Sequence, residues 1–411
     1  MRLVGPKWCG KTTTAKHYIK SFIGLQDADK ALDYKRIADG NIKLLLKGEK
    51  PRLNDEWQEI KQIWNAVRRE VDQSSSNKLE YFLIGSVIPP DIEGVHTGIG
   101  RIVSLKMKPM SLYESGESNG SISLKSLLEK NIKISGKSYL TYSDYAYLIC
   151  RGGWPKTVFL SKDSALIIFK SYVKELCEKD ISNYGGVKRN KVLATNVLRA
   201  YSRQVSTIGT DKTLFDDVRR LHGDVSDNTI RNYLEIFKSL FVIDEISAWN
   251  PNIRSKTAIT SSVKKTLIRP SIAAASFNCS PKELELDPET YGLLFENLCT
   301  RYIGVYIENS GGHMMHYRDR YGVECDTIVK FPDGNYGLIQ IKLGSSKIDE
   351  AVGTMKTIYR LIQKNIVENP NDKTLLLPSF MLVVTGTEYA YHVSDEEYNN
   401  IYVIPLGCLK P

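Results

Sequence analysis

The sequence predicts an α/β protein built from three units, and three observations support this. A glycine-rich loop at residues 5–12 lies between a short apolar strand and a helix, and strands alternate with helices up to about residue 110. This alternation is typical of a parallel sheet with crossover helices. A long, mostly helical stretch follows, and a mixed helix and strand pattern returns from about residue 285. The expected units are residues 1–115, 126–275 and 285–411.

Composition and charge limit the possible function classes. The 411 residues include 42% hydrophobic and 25% charged residues, with a net charge of +9, which is ordinary for a globular protein and compatible with nucleic acid as a partner. The sequence contains no run of 18 apolar residues, so no membrane span is predicted. The first residues lack the pattern of a secretion signal. The seven cysteines are scattered, which is typical of a reducing compartment. We therefore expect a cytoplasmic protein without disulfides or a structural zinc.

The loop at the start of the chain carries the most specific motif, G-x-x-x-x-G-K-T. Its glycines allow backbone N–H groups to surround a phosphate, while Lys11 reaches the outer phosphates and Thr12 ligates Mg²⁺. The helix that follows begins beside the phosphates. A chance match in a glycine-containing loop is the alternative. The predicted cofactors are ATP and Mg²⁺, and the predicted nucleotide-binding residues are Gly5, Pro6, Lys7, Trp8, Cys9, Gly10, Lys11, Thr12 and Thr13.

An acidic pair at the end of a short segment supplies candidates for hydrolysis. Asp55 would hold the water shell of the metal, and Glu56 would orient and activate the attacking water. The residues before Asp55 include Lys50, Pro51 and Arg52, which make a poor strand sequence. The alternative is an exposed acidic start of a helix, which the helix dipole also favours.

Two further residues are candidates for contacts with the γ-phosphate. Ser86 follows the predicted strand Leu79–Ile84, where a polar sensor of that phosphate is expected. Arg101 could stabilise the charge of the transition state. A surface arginine is an equally good interpretation of Arg101.

The central stretch has the element order of a winged helix-turn-helix. Two helical segments precede residues 225–234, where Ser226 or Asp227 can cap a third helix, and an extended segment follows. Side chains near the start of such a helix contact bases, and here these are Thr229, Arg231 and Asn232. An all-helical linker domain without a ligand is the alternative. Basic residues recur through the stretch and continue at Arg254, Lys256, Lys264, Lys265 and Arg269. They indicate either a nucleic-acid surface or a solvated helical face.

The third unit places polar residues on neighbouring predicted strands. Metal-dependent phosphodiester cleavage needs an acidic ligand on one strand, with a second acidic ligand and a lysine two residues apart on the next. Asp326 and Lys342 fit this pattern, and Glu296 on the preceding helix could join them as a ligand. Gln340 occupies the place of the second carboxylate, so metal affinity should be lower. The alternative is an ordinary strand pair with chance polar residues.

Taken in order along the chain, these segments resemble one family. The chain is similar to the prokaryotic AAA-type ATPases that join an N-terminal P-loop domain to a C-terminal domain of unknown function with a restriction-endonuclease-like fold. The resemblance covers nearly the whole chain and implies ATP binding by an AAA/ASCE-type parallel sheet, a winged-helix segment and a PD-(D/E)XK nuclease-like core. The matching segments include residues 5–12, 55–58, 96–102, 109–116, 292–296, 324–326 and 341–344.

The chain departs from the pattern of that family in three places. Relatives usually have some tens of residues before the phosphate loop, whereas this sequence begins at Met1. Ile84 replaces a usual threonine, and Gln340 replaces a usual glutamate. The first departure bears on adenine recognition, and the other two bear on catalytic rates.

Three functions remain open from the sequence. The first is an ATPase that hydrolyses Mg-ATP and acts with DNA, in which a homo-oligomer is possible. The second is a metal-dependent DNA nuclease that ATP regulates. The third is a non-enzymatic protein that binds DNA or another partner through a degenerate nuclease fold.

Overall fold

The computed structural model describes residues 1–85, 100–129, 132–251 and 262–411. Ser86, Arg254 and Lys256, which the sequence singles out, lie outside these residues. No helix in the described ranges is long and apolar enough to cross a membrane.

The N-terminal unit is a five-stranded parallel sheet, which confirms the predicted class of fold. Its order is β2-β3-β4-β1-β5, so β4 lies between β1 and β3. The strands are β1 (Arg2–Val4), β2 (Ser21–Gly24), β3 (Arg52–Asp55), β4 (Tyr81–Ile84) and β5 (Ser104–Lys106). The α-helices are α1 (Lys11–Lys16), α2 (Ala31–Asn41), α3 (Lys43–Leu46) and α4 (Gln62–Gln73).

Both faces of this sheet are covered, which explains the continuous apolar sequence of β4. Ala15 of α1 packs on one face in a cluster with Leu3, Leu53, Phe82 and Ile84. The other face is covered by α4 and α2 through Ile23, Ala38, Ile63, Trp64, Val67 and Leu83. Strands buried on both faces are typical of parallel sheets with crossover helices. The carboxyl ends of β1 and β3 therefore meet at one edge of the sheet.

The central unit is helical as expected. Its helices are α5 (Tyr142–Arg151), α6 (Pro155–Val158), α7 (Lys162–Glu175), α8 (Lys191–Arg203), α9 (Asp211–His222), α10 (Asp227–Ser239), α11 (Pro270–Ser276) and α12 (Pro281–Leu286). α7 continues into a π-helical turn over Leu176–Ile181. The predicted cap of α10 is Ser226, whose hydroxyl accepts a hydrogen bond from the Thr229 amide.

A short antiparallel pairing follows α10 and connects the central unit to the third unit. Ile243 pairs with Leu267, and Ile246 pairs with Lys264. Two residues further on, Ala248 pairs in parallel with His316, at the edge of the C-terminal sheet. This segment therefore belongs to the packing of two units at once.

The C-terminal unit is a seven-stranded mixed sheet between two long helices. Its order is β7-β12-β13-β11-β10-β9-β8. The strands are β6 (Ile122–Ser123), β7 (Gly136–Lys137), β8 (His313–Arg318), β9 (Glu324–Lys330), β10 (Tyr336–Lys342), β11 (Phe380–Thr385), β12 (Tyr389–His392), β13 (Ile401–Pro405) and β14 (Leu409–Lys410), of which β6 and β14 form a separate pair. The helices are α13 (Pro288–Glu308) and α14 (Ile348–Glu368).

The serine- and glycine-rich segment at 115–124 contains a short strand and is partly buried. Within it, β6 pairs with β14, and Ser118 is buried where its hydroxyl donates to the carbonyls of Gly407 and Leu409. Further along, β7 extends the C-terminal sheet beside β12. The local sequence could not reveal this because the partners lie 289 and 291 residues away along the chain.

Part of the basic stretch is likewise buried rather than exposed. Lys264, Lys265 and Arg269 are at most 3% exposed. Lys265 donates to the Gly209 carbonyl at 2.7 Å, and Arg269 stacks over the Tyr302 ring and donates to the Met110 carbonyl at 3.1 Å. Neither a nucleic-acid surface nor a solvated helix face describes these three residues.

Candidate nucleotide-binding site

The phosphate loop connects β1 to α1 in a conformation that its glycines permit. Gly5 has φ 146° and Gly10 has φ 97°, in the region that L residues with a side chain rarely adopt. A Cβ on Gly5 would lie 2.3 Å from the carbonyl oxygen of Met107, so only glycine fits there. Trp8, at the tip of the loop, also has a positive φ of 66°. The loop is therefore held in a tight, strained turn at the carboxyl edge of the sheet.

Lys11 points back over this loop. Its ammonium donates to the carbonyls of Gly5 and Pro6, both at 2.9 Å, and the residue is only 5% exposed. Burial lowers the pKa of this ammonium, while the carboxylates of Glu56 and Asp55 oppose that effect. A buried cation at the first turn of a helix is arranged to meet an anion.

Thr12 and Asp55 meet across the sheet, as the motif predicts. The Thr12 hydroxyl lies 3.0 and 3.2 Å from the two carboxylate oxygens of Asp55. Burial raises the pKa of Asp55, and the hydrogen bond from Thr12 opposes this rise. A hydroxyl and a carboxylate side by side are oxygen donors of the kind that Mg²⁺ prefers. The residues present therefore fit the ion that the motif implies.

Glu56 follows directly, at the point where the chain leaves β3. It has φ 51°, an uncommon value for a residue with a side chain. Its carboxylate accepts a hydrogen bond from the Gln58 side chain. Strain of this kind occurs often at functional sites, where the surrounding structure maintains it. The chain therefore turns directly after Asp55, the last residue of β3.

The central unit contacts the phosphate loop, which the sequence did not predict. The Trp8 ring packs on Tyr172 of α7 at 5.1 Å between centroids, and the Lys7 ammonium lies 2.6 Å from a carboxylate oxygen of Asp180. The Lys156 ammonium of α6 also lies over the Trp8 ring, 5.5 Å from its centroid. Lys7 and Asp180 are 173 residues apart, and no local pattern marks either as a partner of the other. The loop is thus packed between its own sheet and the central helices.

Arg101 does not join this site in the structure. Its guanidinium lies 2.5 Å from a carboxylate oxygen of Asp72, near the end of α4. Because β3 and β4 are parallel, α4 runs from the carboxyl edge of the sheet back to its amino edge. Arg101 therefore lies at the edge opposite to Lys11 of the same chain.

The pKa of Asp55 leads to a prediction about stability. Because its pKa is raised in the folded protein, the Asp55 carboxyl binds its proton more tightly there than in the unfolded chain. Ionised Asp55 therefore destabilises the nucleotide-free protein at pH values above the ordinary pKa of aspartate. Asp55→Asn should therefore raise the melting temperature at neutral pH, and the gain should vanish as the pH falls below both pKa values. Scanning calorimetry of the nucleotide-free protein measures this, with exposed Asp39→Asn as control. A lower melting temperature for Asp55→Asn would contradict the assigned cause.

The third unit brings its four predicted residues together in an open cleft. Glu296, Asp326, Gln340 and Lys342 line a cleft of about 770 Å³ at the end of β10. One Asp326 carboxylate oxygen lies 3.7 Å from the Lys342 ammonium and accepts from the Ile341 amide at 2.8 Å. The four side chains therefore share one cleft, and a role for them in metal binding or cleavage stays a prediction.

Lys264 and Glu324 also belong to this cluster, and they change its charge. Lys264, 1% exposed, places its ammonium 2.5 Å from Glu296 and 3.6 Å from both Glu324 and Asp326. Gln340 uses its amide to donate to the Glu324 carbonyl at 2.7 Å. Across the described ranges, no three His, Cys, Asp or Glu residues form a group that could hold a metal. The residues of the cleft therefore do not fit the metal that a nuclease interpretation implies.

The predicted base-contacting residues lie on the exposed side of α10. Thr229, Arg231 and Asn232 are all exposed. The Arg231 guanidinium lies 3.1 Å from an Asp211 carboxylate oxygen and packs over the Phe215 ring at 4.9 Å. An exposed ion pair of this kind contributes only about 0–1 kcal/mol, so a stronger anion could replace Asp211 at little cost.

Comparison with known proteins agrees with the geometry of the N-terminal unit. Residues 1–116 match the profile of an AAA domain. The matched range coincides with the parallel sheet that places the motif residues at its carboxyl edge, and the match supports a P-loop domain of the AAA type there. Residues 142–283 match a domain of unknown function, DUF8612, and residues 291–409 match another, DUF4143.

Two solved structures are among those similar to the chain, and both likenesses are distant. One is a Walker-type ATPase of Pyrococcus abyssi, at 12% identity and a TM-score of 0.40, covering 67% of this chain and 90% of that one. The other is the ORC1 protein of Aeropyrum pernix in complex with DNA, at 10% identity and a TM-score of 0.29, covering 67% and 86%. No match was found among curated proteins.

Proposed function

We propose that this protein binds and hydrolyses Mg-ATP at the phosphate loop. The observation that carries the proposal is the contact between Thr12 and Asp55, at 3.0 and 3.2 Å, beside the buried ammonium of Lys11. Lys11 and Thr12 lie on α1, which follows β1, and Asp55 ends β3. They converge because β1 and β3, separated by β4, end at the same edge of the sheet. The match of residues 1–116 to an AAA domain supports the same function.

Each residue has a separate task in this mechanism. Lys11 would exchange its two carbonyl partners in the loop for phosphate oxygens, which are stronger acceptors because they are charged. Thr12 and Asp55 would hold Mg²⁺, which neutralises charge on the phosphates when bound. Glu56 would accept the proton of the attacking water.

We also propose that DNA is a partner, through the exposed side of α10. Three packed helices, α8 to α10, and the antiparallel pairing after them support a helix-turn-helix role. The exposed side chains at the start of α10 are polar or cationic. The paired segment itself is engaged with β8, so base contacts would come from α10 rather than from residues 247–249.

ATP turnover with and without DNA, together with DNA affinity over a range of salt concentrations, tests both parts. We expect Arg231→Ala to weaken DNA binding and to reduce the slope of log affinity against log salt by about 1, because one phosphate contact is lost. Lys364→Ala removes the same charge from an exposed position on α14 and should leave DNA binding unchanged.

The two parts can fail separately. If DNA affinity does not depend on salt, or if Arg231→Ala and Lys364→Ala behave alike, the role of α10 is wrong. If no ATP is hydrolysed with or without DNA, the proposed catalysis is wrong whatever the DNA result.

A further inference from the structure

The acidic cleft of the C-terminal unit already contains its own cations. Its three carboxylates, Glu296, Glu324 and Asp326, all lie within 3.6 Å of the Lys264 ammonium. Lys342 lies 3.7 Å from Asp326, and Arg318 lies 3.9 Å from Glu324. Three carboxylates thus face three cationic side chains. No net negative charge remains among these groups to attract a divalent ion.

Lys264 is held in this position from several sides. Its backbone exchanges both hydrogen bonds with Ile246, at 2.9 and 3.0 Å, and its ammonium also donates to the Asp326 carbonyl at 3.2 Å. The Ser262 carbonyl contacts the His316 ring at 3.1 Å. The attraction of the surrounding carboxylates raises the pKa of Lys264 despite its burial, so the side chain stays charged.

The position of Lys264 differs from that of an ordinary surface ion pair. The side chain is 1% exposed, whereas the Lys342 side chain on the same cleft is 25% exposed. A buried cation needs close anionic partners to offset its desolvation. The closest contact, 2.5 Å to a carboxylate oxygen of Glu296, is a direct ion pair. The ammonium therefore occupies the point on which all three carboxylates converge.

We propose that the Lys264 ammonium takes the place of a divalent cation in this cleft, so that the C-terminal unit binds no metal and cleaves no DNA while Lys264 is in place. The carboxylates then serve to attach the paired segment at 242–249 and 262–268 to the C-terminal sheet. Gln340 is consistent with this structural role of the cleft. Its neutral amide donates to the Glu324 carbonyl, which strengthens the pairing of β10 with β9 and adds no charge.

Manganese titration followed by electron paramagnetic resonance tests the proposal. The nucleotide-free full chain is used, with Asp55→Asn in every sample so that the phosphate loop contributes no metal site. We expect no Mn²⁺ binding to this parent protein at the C-terminal cleft. Lys264→Met should bind Mn²⁺ at least about tenfold more tightly than the parent, and adding Asp326→Asn should remove that gain.

Lys265→Met is the matched control. It is an equally buried lysine next in sequence, but its ammonium contacts the Gly209 carbonyl and Asp211 instead of the cleft. It should gain no Mn²⁺ binding. Plasmid nicking with Mn²⁺ is measured on the same samples, and the parent protein should be inactive.

Three results would overturn the proposal. The first is tight Mn²⁺ binding by the parent that Asp326→Asn abolishes, because metal would then displace Lys264. The second is a folded Lys264→Met that gains no Mn²⁺ affinity. The third is an equal gain in Lys265→Met. If Lys264→Met does not fold, the titration of the parent and of its Asp326→Asn variant still decides the question, since the proposal requires both to bind no metal at the cleft.

Discussion

Lys11→Ala should reduce ATP affinity by about 10- to 100-fold. The ammonium makes charge-assisted hydrogen bonds from a buried position, and losing one such bond costs about 1.5–3 kcal/mol, where 1.4 kcal/mol corresponds to a factor of ten. The fold itself should tolerate the change. Burial lowers the pKa of this ammonium, which means that the folded state disfavours its charge. Among the described residues, its only hydrogen-bond acceptors are two loop carbonyls. Isothermal calorimetry with ATP and Mg²⁺ measures the effect.

Lys16→Ala provides the matched control for this measurement. Lys16 lies on the same short helix, at its exposed end, and packs over the Phe22 ring at 4.9 Å. It should bind ATP as the unmodified protein does. An unchanged ATP affinity in Lys11→Ala would rule out the phosphate loop as the nucleotide site.

Glu56→Gln should separate binding from hydrolysis. Glutamine keeps the size and one oxygen of the side chain but cannot accept the proton of water, and general-base catalysis typically contributes about 10²- to 10⁴-fold. We therefore expect kcat to fall by about that factor, while ATP affinity stays within a few-fold of the original value. Single-turnover hydrolysis and calorimetry on the same preparation measure the two quantities.

Glu59→Gln controls for the loss of a nearby negative charge. Glu59 is exposed on the 3₁₀ turn after Glu56 and accepts a hydrogen bond from Gln26. Its kcat should remain unchanged. If Glu56→Gln hydrolyses ATP at the full rate, the base lies elsewhere, and if both variants lose activity equally, the effect is one of net charge.

Local sequence patterns were sufficient for the elements whose stability depends on nearby residues. The phosphate motif predicted the site because its glycines and Lys11 act within a single turn. Asp55 ends a strand beside Thr12, and its role with the metal stays a prediction. The strand accommodates Arg52 because that guanidinium donates hydrogen bonds to the Leu45 carbonyl and the Ser21 hydroxyl.

Contacts between distant residues could not be predicted in this way. Lys264 was one basic residue in a basic stretch, and its role depends on carboxylates at positions 296, 324 and 326 that come near only after the sheet has formed. Asp180 and Tyr172 hold the tip of the phosphate loop without any motif. Arg101 was a candidate for the γ-phosphate and equally well a surface arginine, and the sequence could not decide because the direction of α4 carries Asp72, its partner, to the other edge.

The pairing of β6 with β14 has a consequence for the order in which the protein forms. During synthesis, residues 116–140 leave the ribosome well before β12 and β14, their partners in the finished sheet, have been made. The N-terminal sheet contains only residues up to Lys106 and can assemble first. The segment after it must wait unpaired through the translation of more than half the chain, and contacts of such long sequence separation form slowly. For that period Ile122 and Leu124, both buried in the finished fold, lack the partners in β14 that they have there.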